Sequence, residues 1–308
     1  MKLKATKTCT ASIILFLTMS LYGQTTLKGI IADAETKAPL PYATVVVIKS
    51  QTGTIANKDG AFKITIAEDN VPTDTLEFSH LGYNQTKVSV SDFLKNRNGQ
   101  IELKVNPTVL TDVVVVPKKY RLEKVGIFAK KPQGFHVTNV FNHKQGNHIE
   151  NKNGKQGWIK SVSYYIHPLG HPETPFRVRI MSVNNKKGCP DNDLLNENVI
   201  VVAKGPGWIK VDMEKYNIVF PKEGVFVVME WINSGDQYFY KHSRTRKNDK
   251  GVTETFMGSY YGQVIGTVLK QPKMVTWGLN LGGEWIPYNM FYKGYPNLMI
   301  NAEVIFAK

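Results

Sequence analysis

The stretch GTIANKDGAFKITI, residues 53–66, decides how the first third of the chain folds. Asn57 and Gly60 match the middle of a calcium-binding loop, which needs oxygen ligands at alternate positions before the glycine and a carboxylate six residues after it. The corresponding positions are Ile55 and Ile66, whose side chains carry no oxygen. The flanks alternate between apolar and polar residues, as paired strands do. The stretch therefore predicts two β-strands joined by a tight turn, in which Asn and Gly tolerate a positive φ.

Short alternating segments continue on both sides of this turn. They are rich in β-branched residues, and their sequences are LKGIIA, YATVVVIK, AFKITI, TLEFSH, YNQTKVSV and QIELKV. Such segments, separated by turn residues at a spacing of roughly 8–12 residues, are typical of a β-sandwich. We therefore predict an all-β first domain over residues 25–116, with Val113–Val116 as its last strand.

Several motifs of this domain resemble those of a known family. They are GIIAD at 29–33, APLPYATV at 38–45, GT at 53–54, NKDGAF at 57–62 and FSHLGY at 78–83. Together they resemble the carboxypeptidase-regulatory-like domain, and the resemblance implies a small transthyretin-like β-sandwich. The same domain is found at the start of TonB-dependent outer-membrane receptors of the Bacteroidetes type. LTDVVVV at 110–116 is similar to the junction that follows the domain in those receptors, but the chain departs from them afterwards.

The resemblance does not imply carboxypeptidase activity. In metallocarboxypeptidases this domain is an accessory, and the zinc site lies in a separate α/β domain that uses a His-x-x-Glu motif. None of the seven histidines of this chain is followed by Glu three residues later. The sequence also lacks the alternation of strands and helices that an α/β enzyme requires.

The N-terminus has the pattern of a secretory signal peptide over residues 1–23. Three lysines precede an apolar stretch that begins at Ile13, and this stretch is too short to span a bilayer. We therefore expect an exported protein of the periplasm, the outer membrane or the extracellular space, with no transmembrane segment after signal removal. The mature chain keeps one cysteine, Cys189, so it cannot form an internal disulfide.

The second half of the chain predicts another β-sandwich. Residues 117–157 are polar and irregular and are interpreted as a linker or a long loop. From residue 158 to 308 apolar strand patterns return, and their order favours a jelly-roll-like sandwich. FRVRI at 176–180, DLLNENVI at 193–200 and EGVFVVMEW at 223–231 resemble the C-terminal region of other short exported Bacteroidetes-type proteins. That resemblance implies no particular activity.

The net charge is +14 and belongs mainly to the second part of the chain. Residues 25–120 contain 11 basic and 10 acidic residues, whereas residues 121–308 contain 25 basic and 15 acidic residues. The excess favours either a solvated basic surface or an anionic partner such as envelope polysaccharide or lipid headgroups. No nucleic-acid-binding motif is present, so we expect no nucleic-acid partner.

Two groups of residues are candidates for chemistry. His167 and His171 in HPLGH are spaced like zinc ligands on a helix, but two prolines oppose a helix there. Glu214, Glu223 and Glu230 could supply the carboxylate pair of a glycosidase, or Glu230 could be the buried partner of an arginine such as Arg177 or Arg179. We predict no catalytic residue, no metal site and no cofactor, and therefore no enzyme.

The last third is rich in aromatic residues, which form either core or a ligand platform. A platform would combine stacking rings with amide side chains, and its members would be Trp285, Tyr288, Tyr292, Tyr295, Asn280 and Asn289. The sequence thus predicts a non-catalytic cell-envelope binding or structural protein. Its first sandwich would be a spacer or docking domain, and its second would bind a glycan or an outer-membrane protein. The alternative is a carboxylate-dependent hydrolase of envelope polysaccharide.

Overall fold

The computed structural model describes residues 23–50, 52–96, 98–106, 120–139, 143–232, 236–247, 251–280, 283–288 and 296–308. Its regular structure is nearly all β-strand, and the strands form two β-sandwiches in succession, as predicted. The predicted signal peptide up to residue 22 and the predicted strand Val113–Val116 lie outside the described residues. Within those residues, no helix is long and apolar enough to cross a membrane.

Among the described residues, the first sandwich contains seven strands and one short α-helix. They are β1 Gln24–Asp33, β2 Thr44–Val47, β3 Thr52–Ile55, β4 Ala61–Ala67, β5 Thr75–Ser79, β6 Thr86–Ser89, α1 Val90–Lys95 and β7 Gln100–Leu103. One sheet has the order β4-β1-β7 and the other β3-β2-β5-β6. Alternate apolar residues of the two sheets meet in one core, where Phe62, Phe78 and Phe93 pack with ring centroids 5.6–6.1 Å apart.

The stretch quoted first forms a turn, as predicted, with one difference. The side-chain oxygen of Asn57 accepts the amides of Asp59 (2.9 Å) and Ala61 (3.0 Å), and Gly60 has a φ of 71°. A side chain at Gly60 would place its Cβ 2.6 Å from the carbonyl oxygen of Ile31. However, β3 and β4 belong to different sheets, so the turn carries the chain across the sandwich and does not close a hairpin.

The part of the second sandwich that the structure describes contains sixteen strands. They are β8 Tyr120–Gly126, β9 Gly134–Thr138, β10 Lys144–Ile149, β11 Gly157–Gly170, β12 Phe176–Val183, β13 Pro190–Asp193, β14 Ile200–Val201, β15 Gly207–Asp212, β16 Val219–Phe220, β17 Val225–Trp231, β18 Phe239–Lys247, β19 Thr253–Val268, β20 Thr276–Leu279, β21 Trp285–Pro287, β22 Asn297–Leu298 and β23 Ile300–Ala307. Seven of them form a sheet with the order β13-β12-β17-β10-β20-β21, in which β14 also pairs with β12. The other nine form a sheet built on β18-β19-β11-β23-β8. Apolar residues of both sheets share one core.

The interpretation of residues 117–157 as a linker or long loop is wrong for most of that segment. It contains β8, which pairs with β23, β9, which pairs with β19, and β10, which lies between β17 and β20. The side chains of β8 are mostly exposed, and β10 buries Gln145 and Asn147 in place of aliphatic residues. Neither strand therefore shows the apolar alternation by which strands are recognised.

Candidate functional site

The outer face of the seven-stranded sheet carries two clusters of side chains. In β17, Val225, Val227, Met229 and Trp231 point into the core, so the residues between them point outward. Strand pairing extends this face to the two neighbouring strands, β10 and β12. Glu230 lies opposite both Lys144 and Arg177. Val228 lies opposite Gly146 and Arg179. One end of the face is therefore charged. The other end is apolar and aromatic, with Met181, Phe226, Trp277 and Trp285.

The charged end is an ionic cluster centred on Glu230, which is 1% exposed. Its Oε1 accepts Nη1 of Arg177 at 2.9 Å, its Oε2 accepts Nη1 of Arg179 at 3.2 Å, and Nζ of Lys144 lies 4.0 Å away. Asp193 forms a second ion pair with Arg179. Burial alone would raise the pKa of Glu230, but the charges of Arg177, Lys144 and Arg179 lower this pKa to about 2. Glu230 is thus a structural counterion.

The ionic cluster also joins the two sandwiches. Nη2 of Arg177 donates to the carbonyl oxygen of Tyr42 (2.5 Å), a residue of the APLPYATV motif with a φ of 58°. Asn198 accepts Nε of Arg177 at 2.7 Å and donates to the carbonyl oxygen of Pro41 at 3.0 Å. His80 contacts the same carbonyl at 3.2 Å, and burial, followed by the charge of Arg177, lowers its pKa. We call this set of contacts the junction.

The aromatic end of the outer face forms an aromatic patch made by Trp277, Trp285, Phe226 and His148. Trp277 and Trp285 are half-buried, and both pack on the cluster that contains Phe226. The rings of Phe226 and Trp277 meet edge to face at 6.2 Å, and His148 stacks on Phe226 at 5.0 Å. Gly146 lies opposite Trp277 in the ladder, so no side chain stands beside that indole on β10.

The structure separates those predicted platform residues that it describes. Trp285 lies on the outer face, and Asn280 lies in the turn before it, where its Oδ1 accepts the amide of Glu284 at 2.9 Å. Tyr288 is 8% exposed, and its hydroxyl is 2.5 Å from Nδ1 of His136, so its assignment to a surface platform is wrong. It follows the edge strand β21 directly, and local sequence does not reveal that the chain turns inward there. The other three predicted members, Tyr292, Tyr295 and Asn289, lie outside the described residues.

In the second sandwich, Tyr288 packs with two half-buried histidines, His136 and His143, in what we call the histidine cluster. His136 stacks on His143 with ring centroids 5.3 Å apart, and Trp231 packs against both rings at 5.9 and 5.4 Å. Burial lowers the pKa of His143 to about 4 and that of His136 well below its usual value, so both rings are neutral at neutral pH. Gln145 lies near enough to His143 to oppose part of this lowering.

The structure does not place His167 and His171 on a helix, the arrangement in which their spacing would suit zinc ligands. His167 uses Nδ1 to accept the amide of Leu169 at 3.1 Å, and His171 contacts Glu173 at 3.1 Å. His148, which lies nearby in the sequence, contacts the carbonyl oxygen of Glu223 at 2.9 Å. In the described part of the chain, no group of three or more His, Cys, Asp or Glu side chains is arranged to hold a metal ion.

Glu223 and Glu230 are too far apart to form a catalytic pair. Glu223 precedes β17 and Glu230 lies near its end, so at about 3.3 Å per residue they are more than ~15 Å apart. Glycosidase carboxylates lie about 5–9.5 Å apart. Glu214 lies beside the nine-stranded sheet, where its carboxylate pairs with Nζ of Lys160 at 3.7 Å. The reading of Glu230 as an arginine partner is thus the one that its contacts support.

Sequence reasoning missed two features of the second sandwich. Trp277 was not included in the platform, although it shares a face with Trp285. His136 and His143 come from different strands and form no local motif, so only the pairing of β9 and β10 with their sheets brings the rings together. The sequence shows only a polar segment there, and β10 of that segment buries Gln145 and Asn147.

The comparisons with known proteins bear mainly on the first sandwich. Residues 27–116 match the model of the CarboxypepD_reg-like domain, which confirms the resemblance drawn from the motifs. This match covers less than a third of the 308 residues. Domains of this type are regulatory-like β-sandwiches that are common in secreted and outer-membrane proteins. No curated protein matches the chain.

Two solved structures show a remote similarity. One is a clostridial cysteine protease, Cwp84, after propeptide cleavage, with a TM-score of 0.39 and 13% identity over 93% of this chain and 66% of that chain. The other contains the cysteine protease and lectin-like domains of Cwp84, a surface layer associated protein of Clostridium difficile, with a TM-score of 0.35 and 12% identity over 87% and 59%. The chain spans less than two thirds of either structure. Both TM-scores are too low to carry an argument about this chain.

Proposed function

We propose that the protein is a non-catalytic binding protein of the cell envelope, and that the aromatic patch on its second sandwich binds a glycan. The observation that carries this proposal is the pair of half-buried indoles, Trp277 and Trp285, on one sheet face, where Trp277 lies opposite Gly146. The indole of Trp277 is held in place by its edge-to-face contact with Phe226, and a sugar ring can stack on an indole held in this way at little entropic cost.

The first sandwich has the role of a docking domain in this proposal. Its APLPYATV loop is held by Arg177, which lies in the same sheet as the aromatic patch, and by Asn198, which lies just before β14 of that sheet. A ligand on the patch would therefore be held in a defined position relative to the first sandwich. The basic excess of the second part favours an anionic envelope polysaccharide over a neutral one.

The experiment is retention of the full chain on immobilised envelope polysaccharide, with affinity measured by calorimetry. Trp277→Ala and Trp285→Ala should each weaken binding about tenfold, which corresponds to roughly 1.4 kcal/mol. Trp208→Ala is the matched control, because Trp208 is also half-buried but lies in β15 on the opposite sheet. Thermal melting establishes that each variant is folded.

The outcomes separate a platform from a packing role. If Trp277→Ala and Trp285→Ala lose retention while Trp208→Ala keeps it, at similar melting temperatures, the patch is the glycan site. Equal retention by all three variants would show that the two indoles only cover Phe226. In that case the glycan-binding proposal fails.

A further inference from the structure

Among the three cations of the ionic cluster, Lys144 is held least closely. Arg177 and Arg179 each donate to one carboxylate oxygen of Glu230, at 2.9 and 3.2 Å, so both oxygens are occupied. In the described part of the chain, the ammonium of Lys144 makes no hydrogen bond, and its nearest carboxylate oxygen belongs to Glu230, 4.0 Å away. The three cations face only the carboxylates of Glu230 and Asp193, so one positive charge of the cluster is unmatched within it.

Partial burial makes this unmatched charge costly. The side chain of Lys144 is 21% exposed, so its ammonium is only partly solvated. Burial lowers the pKa of Lys144; the charge of Glu230 opposes this effect, and the charges of Arg179 and Arg177 add to it. A partly desolvated charge gains more from a counterion than a fully solvated charge does, because water screens it less. The ammonium is therefore a favourable place for an anionic group of a ligand.

The strand register places this ammonium beside the aromatic patch. Gly146 lies opposite Trp277, and Lys144 precedes Gly146 by two residues, so both point to the same face of the sheet. Lys144 is therefore a diagonal neighbour of Trp277, about 7–8 Å away, a separation that long and aromatic side chains bridge. Trp285 continues the same face on the next strand, β21. One ligand can thus contact an indole and the ammonium together.

We propose that Lys144 makes the aromatic patch selective for hexuronic acid residues, whose carboxylate would pair with the ammonium while the sugar ring stacks on Trp277. The inference rests on the proposed glycan-binding function and names the class of sugar. A carboxylate carries one negative charge, which matches the one unmatched positive charge of the cluster, whereas a phosphate monoester carries about −1.5 to −2. The carboxylate is also attached directly to the pyranose ring, so an indole that positions the ring positions the charge.

The test compares two tetrasaccharides that differ in charge, tetragalacturonate and its methyl ester, by calorimetry with the full chain. The unmodified protein should bind the acid about tenfold more tightly than the ester, as expected for one charge-assisted contact. Lys144→Met keeps a long apolar stem but removes the charge, so it should bind acid and ester equally, with an unchanged affinity for the ester. Trp277→Ala should weaken the binding of both.

Lys160→Met is the matched control. The side chain of Lys160 is 29% exposed and its Nζ lies 3.7 Å from a carboxylate oxygen of Glu214, a setting like that of Lys144. Lys160 lies in β11 of the other sheet, so its variant should keep the tenfold preference. Lys144→Met should melt near the unmodified protein, because both oxygens of Glu230 stay paired. Lys144→Gln takes its place if Lys144→Met does not melt cooperatively.

The outcomes separate this inference from the function on which it rests. If the unmodified chain binds acid and ester equally, or if the Lys144 variant keeps the preference, the patch does not read charge through Lys144 and the inference alone fails. A preference lost in the Lys160 variant as well would assign it to overall net charge and would also overturn the inference. If neither tetrasaccharide binds while envelope polysaccharide is retained, the class of sugar is wrong. If nothing is retained, the glycan-binding proposal and the inference fail together.

Discussion

At the scale of single residues, Glu230 shows how a buried charge is held. It lies in a strand of apolar residues, and an unpaired carboxylate there would cost several kcal/mol. Arg177, Arg179 and Lys144 surround it, and they in turn depend on its charge. Removing one partner from such a cluster costs more than the cluster contributes as a whole, because the remaining charges stay buried without compensation.

Glu230→Gln should therefore destabilise the second sandwich by about 3 kcal/mol at pH 7. The folded-state pKa of Glu230 is lowered to about 2 from a usual 4.5, so its stabilisation is complete above about pH 4.5 and is lost as the pH falls through about 2. The difference between the two proteins should shrink over that range. Urea unfolding followed by tryptophan fluorescence measures it, since all five tryptophans follow residue 157.

The control for this prediction is Glu214→Gln. Glu214 pairs with Lys160 at the surface, at 3.7 Å, and such exposed pairs contribute about 0–1 kcal/mol. Its removal should leave the unfolding curve nearly unchanged at every pH. An equal loss in both variants would show that overall charge, and not the buried cluster, determines the pH dependence.

At the scale of elements, the sequence predicts a strand well when one face of that strand carries apolar side chains, and poorly when neither face does. β4 alternates exposed and buried residues from Phe62 onward, and its pattern was recognised. β10 contains Gln145, Gly146 and Asn147 at buried positions, and β8 is an edge strand with little burial. Their strand character comes from partners more than 70 residues away, and no local pattern reports such pairing.

The candidate site could be predicted only in part, because its geometry also depends on strand pairing between distant segments. The sequence indicated that Trp285 belongs to an aromatic region, but the face on which a ring lies depends on strand register. Trp285 and Trp277 share the outer face, whereas Tyr288, three residues after Trp285, is buried against His136. A shift of one residue in the strand register would move each of these side chains to the opposite face of the sheet.

The strand pairing predicts where the second sandwich begins. A fragment of residues 120–308 should fold with β-rich circular dichroism and a cooperative melt, because it contains both sheets. A fragment of residues 158–308 should not, because it lacks β10 from the middle of the seven-stranded sheet. The two fragments are compared by circular dichroism and by hydrogen–deuterium exchange of backbone amides.

A third fragment, residues 127–308, is a control that shows whether shortening the chain is by itself enough to prevent folding. It loses only β8, which is the outermost strand of its sheet, so it should still melt cooperatively at a lower temperature. If residues 158–308 melted as cooperatively as residues 120–308, the central position of β10 would be wrong and the linker interpretation would return.

At the scale of the whole molecule, the junction makes the two sandwiches depend on each other. Each has its own core, so each is able to fold around its own apolar residues. Asn198 and Arg177 nevertheless donate to backbone carbonyls of the first sandwich, and those carbonyls follow one another at Pro41 and Tyr42. The loop that carries them contains a non-glycine residue with positive φ, a conformation that neighbouring contacts must maintain.

Asn198→Ala should therefore loosen the first sandwich although the substitution lies in the second. It removes the bond to Pro41 and the acceptor of Arg177 Nε, and each lost hydrogen bond of this kind is worth about 0.5–3 kcal/mol. We expect faster amide exchange at residues 38–45, measured by mass spectrometry, with little change in β23. Asn192→Ala is the matched control, because Asn192 is exposed on the neighbouring strand β13. If exchange in the loop were the same in both variants, the two sandwiches would be independent units and the first could not position a ligand bound by the second.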